Sequence, residues 1–105
     1  MDDRELLEMA AKAAGIRGEW SERGQCIVIS EVGMSWENWR PLEDDGDALR
    51  LAVKLKLIVE VGSCWLSKYG PVFGEDVLPD PLSATRRAIV RAAAAIGAEN
   101  DKTQD

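Results

Sequence analysis

The chain reads as a small α+β domain, and three observations carry that reading. Apolar residues recur at helical spacing near the start, the middle and the end. Two pairs of short β-rich segments lie between those stretches. Glycine, proline and aspartate mark nearly every junction. The order is α-β-β-α-β-β-α. Two hairpins imply a mostly antiparallel sheet of about four strands packed by helices. Helices on both faces make an α/β/α sandwich; helices on one face make the alternative, a two-layer fold. The 105 residues suffice for one domain, assigned to residues 1–98, with 99–105 as a polar tail.

The first helix is expected over Arg4–Ala14. Leu6, Met9, Ala10 and Ala13 share one face, and Glu8 and Lys12 pair across one turn on the other. Asp2 and Glu5 have capping-box spacing, and Gly15 suits the position just past the helix end. Two strands follow, Ile16–Trp20 and Gln25–Ser30, joined by a loop at Ser21–Gly24.

Residues Glu31–Pro41 show no period and read as a loop. The second helix begins at Asp44 or Asp45 and ends at Leu55 or Lys56, with Ala48, Leu51, Ala52 and Leu55 inward and Arg50 and Lys54 outward. Leu57–Val61 and Cys64–Tyr69 form the second hairpin about Gly62-Ser63, a type II′ pattern. Both of its faces carry large apolar residues, so this sheet is expected to be covered on both sides, at least in part. Val72-Phe73 and Val77-Leu78 are short extended pieces. Asp80 and Pro81 are a strong helix start, and the third helix runs through Leu82, Ile89, Ala93 and Ile96 on one face to a stop at Gly97.

Composition excludes several functions. The chain has no histidine, which removes Ser-His-Asp and Cys-His triads and histidine metal sites. No cofactor is indicated. Cys26 and Cys64 read as reduced, buried side chains. No apolar run approaches the roughly 18 residues of a membrane helix, and the charged start lacks a signal-peptide core. The expected location is the cytoplasm, without membrane association. Net charge is −6: residues 1–47 hold 12 acids and 5 bases, residues 48–96 hold 4 acids and 7 bases. That balance disfavours a nucleic-acid partner, whose affinity comes largely from phosphate neutralisation.

Candidate sites are few. Trp36, Trp39 and Pro41 form either an exposed recognition patch or a loop folded onto the sheet edge or second helix. With Asp44, Asp45 and Asp47 they make up a possible interaction surface. The run Glu43–Asp47 lacks the calcium-loop spacing, and N-capping accounts for it. Arg86, Arg87 and Arg91 form either a basic stripe or a solvated face. Gly70–Gly74 lacks the lysine of a phosphate loop.

Trp39–Leu55 resembles the central motif of small bacteriophage and prophage proteins that carry the phage ABA sandwich domain, named for its α/β/α layers. Ala84–Gly97 and Arg4–Gly15 resemble their last and first helices. The three stretches keep their order and cover nearly half the chain. Residues Arg17–Glu37 and Gly62–Val77 are compact beside the longer hairpins of that family. The resemblance implies a layered α/β fold, a phage setting and a bacterial host, and brings no biochemical activity with it. The leading expectation is therefore a non-enzymatic accessory protein that binds a host or phage protein, as monomer or homodimer. One alternative is an acidic decoy of a host nucleic-acid-binding defence enzyme. Another is an enzyme using the carboxylates Glu31, Asp45, Asp47 and Glu60.

Overall fold

The computed structural model describes residues 1–29, 37–65 and 71–103, with side chains described through residue 100. Three helices and six strands alternate as α1 (Asp3–Ala14), β1 (Gly18–Ser21), β2 (Cys26–Ile29), β3 (Glu37–Trp39), α2 (Asp45–Lys54), β4 (Ile58–Glu60), β5 (Ser63–Trp65), β6 (Phe73–Gly74) and α3 (Pro81–Thr103). The α+β class and the antiparallel pairing agree with the expectation from sequence. The strands divide into two sheets of three, ordered β1-β2-β3 and β4-β5-β6. Each sheet gains a third strand too short to show a period of its own. Glu37–Trp39 pairs with Ile27–Ile29, and Phe73–Gly74 pairs with Ser63–Cys64. The two β-β-α stretches of the expected order thus become two β-β-β-α units. Cys26 lies in the central strand of one and Cys64 in that of the other, each fully buried and free. Burial pushes the Cys64 thiol up to about 11. Residues 66–69 of the expected strand Cys64–Tyr69 lie outside the described residues.

Local chemistry explains the helix ends. Asp2 accepts a hydrogen bond from the Glu5 N–H (2.8 Å) and Asp44 one from the Asp47 N–H (2.8 Å), so each caps its helix. Asp80 Oδ1 accepts from the N–H groups of Leu82 and Ser83. At their other ends α1 and α2 close with the same pair of backbone bonds. The Ile16 N–H donates to Ala11 and Gly15 to Lys12; the Leu57 N–H donates to Ala52 and Lys56 to Val53. Both ends need a left-handed residue. Gly15 supplies it at φ 68°, whereas in α2 the position falls to Lys56 at φ 57°, where a side chain is strained.

The core is built around α3. Its buried stripe of Ala84, Ala88, Ile89, Val90, Ala92, Ala93 and Ala94 meets Leu6, Leu7, Ala10, Ala11 and Ala14 of α1. The first sheet packs on α1 and the second on α3. Arg87 bonds Asp3 (2.9 Å), and Gly97 lies against the Met9 backbone, so α1 and α3 run in the same sense. A Cβ at Gly97 would overlap the Met9 carbonyl oxygen. The expected helix stop at Gly97 is therefore a helix contact: the glycine permits close approach, and α3 continues to Thr103.

Candidate interaction surface

The surface expected from sequence is mostly internal. Trp39 is 5% exposed and Pro41 is among the most buried side chains, so the exposed-patch reading of these two is corrected. Trp39 pairs with Ile27 across the sheet and belongs to the core cluster that includes Leu51 of α2. Burying an indole is the strongest stabilisation this loop can provide. Trp36 lies outside the described residues.

The three aspartates are engaged. Asp47 Oδ2 accepts the Arg40 backbone N–H (2.9 Å), and Oδ1 accepts Arg50 (2.7 Å). That bond raises the Arg50 pKa above its ordinary value. Asp44 caps α2 and lies 3.8 Å from Arg50. Asp45 binds Arg86 at 2.6 Å, and the same guanidinium donates to the Leu42 carbonyl at 2.9 Å. The other two arginines of the expected basic stripe are also satisfied. Arg87 holds Asp3, while Arg91 donates to the Gly74 carbonyl, pairs with Glu75 and lies over the Phe73 ring. The carboxylates considered for catalysis do not converge. Asp45 and Asp47 turn to different arginines, Glu60 belongs to the second sheet, and Glu31 lies outside the described residues. Among the described residues no three histidine, cysteine, aspartate or glutamate side chains are grouped to hold a metal.

A cleft of about 510 Å³ opens beside the start of α1. Its lining alternates Asp2, Asp3, Glu22 and Glu43 with Arg4, Arg40 and Arg87, so its charges largely cancel. Arg4 covers the Trp20 ring at 5.6 Å. The buried Trp20 indole N–H has no hydrogen-bond partner among the described residues.

A second surface was not expected. It forms where the β4–β5 turn meets the start of α3. The turn residues are Val61 and Gly62, one position earlier than the sequence suggests, because Ser63 already pairs with Glu60. Gly62 takes φ 79° at the second turn position, as a type II turn requires. Three contacts fix the corner. The Gly62 N–H donates to Thr85 Oγ1 (2.9 Å), and the Glu75 N–H donates to the Gly62 carbonyl (2.8 Å). Val77 lies so close that a Cβ on Gly62 would come within 2.6 Å of its Cγ2.

These contacts gather apolar side chains that find no cover. Leu78 is 79% exposed, Val61 68% and Leu82 62%, with Val77 partly exposed beside them. Leu82 was expected to face the core. It lies in the first turn of α3, ahead of the buried stripe that begins at Ala84. Ile58 and Val59, on opposite faces of β4, are exposed as well. The expectation of a sheet covered on both sides therefore fails at this strand, which is one of the two edge strands of its sheet.

Acids border the corner. All four acids of residues 48–96 are here: Glu60, Glu75, Asp76 and Asp80. Glu75 is paired with Arg91, whereas Glu60, Asp76 and Asp80 have no ion-pair partner among the described residues. The signal for this site in the sequence was faint. Val61, Leu78 and Leu82 flank a turn and a helix start, positions where exposed aliphatic residues gain nothing for the fold.

Fold and surface together define an α+β domain with an apolar, acid-bordered corner. No family model, no curated protein and no solved structure matches the chain.

Proposed function

We propose that this is a phage- or prophage-encoded accessory protein of the bacterial cytoplasm that acts by binding another protein and has no catalytic activity of its own. One observation carries the binding role: Val61, Val77, Leu78 and Leu82 are exposed around one braced corner, and Leu78 is the most exposed large apolar side chain among the described residues, although Leu49, Val53 and Val72 are also exposed elsewhere. Contiguous apolar surface bordered by polar groups marks interaction sites more often than it serves stability. The phage setting rests on the three stretches that resemble the phage ABA sandwich domain. No described helix is long and apolar enough to cross a membrane. The decoy reading has less support. Seven acids of the first half, Asp3, Glu8, Glu22, Glu43, Asp44, Asp45 and Asp47, are already held by arginines.

The test is affinity capture from the bacterial host with the wild type beside a Leu78→Ser/Leu82→Ser variant shown to be folded. A partner retained by the wild type and lost by the variant is the expected result. The same proteins on both baits, or none on either, would refute binding through this corner. Genes of cellular metabolism, rather than phage genes, on both sides of the coding sequence would refute the setting.

A further inference from the structure

The corner discriminates among occupants by charge. Its centre is aliphatic, and its border carries Glu60, Asp76 and Asp80 without balancing cations among the described residues. A second copy docked about a twofold axis would set this border against itself, since an isologous contact presents the same patch on both sides. Like charges so placed are repulsive. An anionic lipid surface or a nucleic acid meets the same sign. A segment that alternates Lys or Arg with apolar residues satisfies both parts at once. Its apolar side chains cover Val61, Leu78 and Leu82, and its cations reach the three carboxylates. The corner is also braced before any partner arrives, because Gly62 is tied to Thr85 and Glu75, and Thr85 in turn to the Pro81 carbonyl (2.8 Å). A surface already fixed in place loses little freedom on binding.

We infer that the corner formed by Val61, Leu78 and Leu82 receives a basic, apolar-bearing segment of a partner protein, with Glu60, Asp76 and Asp80 as its counter-charges. This rests on the protein-binding role proposed above and adds the chemistry of the partner.

A random sixteen-residue peptide library, displayed and selected on the folded full-length protein, reads that chemistry directly. The expected winners have net positive charge and several aliphatic or aromatic residues. They shift the amide resonances of Val61, Gly62, Val77 and Leu82. Their affinity falls about tenfold or more in Leu78→Ser/Leu82→Ser. It falls several-fold in Glu60→Gln/Asp76→Asn and weakens as salt is raised. Neutral or acidic winners would overturn the basic class, as would shifts confined to another surface or a selection with no winner. Binding to anionic lipid vesicles through the same residues, or a dimer abolished by the serine variant, would replace the inferred occupant and so overturn it. The capture experiment is indifferent to charge. A neutral partner found there beside a failed selection here would leave the protein-binding role standing and remove only this inference.

Discussion

Two acidic corners of this protein meet opposite ends. At the start of α2, Asp44, Asp45 and Asp47 stand next to the aromatic and proline residues that suggested a binding loop. All three are consumed by the fold: Arg40, Arg50 and Arg86 reach them, and Trp39 and Pro41 are interior. At the β4–β5 turn, Glu60, Asp76 and Asp80 lie in a part of the chain that is net positive by sequence, yet no arginine of the described residues reaches them; Asp80 caps α3 through Oδ1, whereas Glu60 and Asp76 have no such role. Their apolar neighbours are exposed. The difference shows that a carboxylate's availability depends on where the cations are carried. Arg86 is 41 residues from Asp45 and meets it only because α3 packs against α2. An acidic run is therefore weak evidence of a binding surface, and a few scattered acids can form a stronger one.

The contrast can be broken by substitution. The largest effect is expected at Trp39→Ala, about 3–5 kcal/mol of lost stability by chemical denaturation, the usual range for deleting a large buried side chain. A loss under about 1 kcal/mol would put Trp39 back among the surface candidates. Asp47→Ala is next. It leaves the Arg40 N–H without its acceptor and removes a bond to a guanidinium, at a cost of about 1–3 kcal/mol. The same change at the other corner, Asp76→Ala, is expected to stay within about 0.5 kcal/mol. Equal costs at Asp47 and Asp76 would end the distinction between a structural and an available acid.

Smaller effects sharpen it. Lys56→Gly replaces a strained left-handed residue at the end of α2 with the residue α1 already uses at Gly15. A gain of up to about 1 kcal/mol is expected, read as a raised Tm. No gain would mean that the Lys56 side chain stabilises its end of the helix in some other way. The smallest effect on the fold should come from Leu78→Ser/Leu82→Ser, within about 0.5 kcal/mol in total, as for exposed positions that pack on nothing. A loss of several kcal/mol would show that these side chains belong to the core and would end the case for the corner.

The sequence by itself determined the three helices, their starts and the end of α1. Asp2, Asp44 and Asp80 cap as their spacing says, Pro81 opens α3, and Gly15 closes α1, because capping is chemistry among residues three or four apart. The strong strand at Cys26–Ile29 and the hairpin at Glu60–Ser63 were legible for the same local reason, with the turn displaced by one residue. Only the tertiary structure decided how strands were shared between sheets. Glu37–Trp39 and Phe73–Gly74 are held by partners elsewhere in the chain rather than by any pattern of their own. Gly97 is the sharpest case: a glycine near the end of a helical run has the local signature of a stop, and only the Met9 backbone lying against it explains why the helix continues. Exposure followed the same rule. Trp39 went inward and Leu82 outward because burial depends on what packs opposite a residue, and nothing in either residue's own neighbourhood of the sequence carries that information.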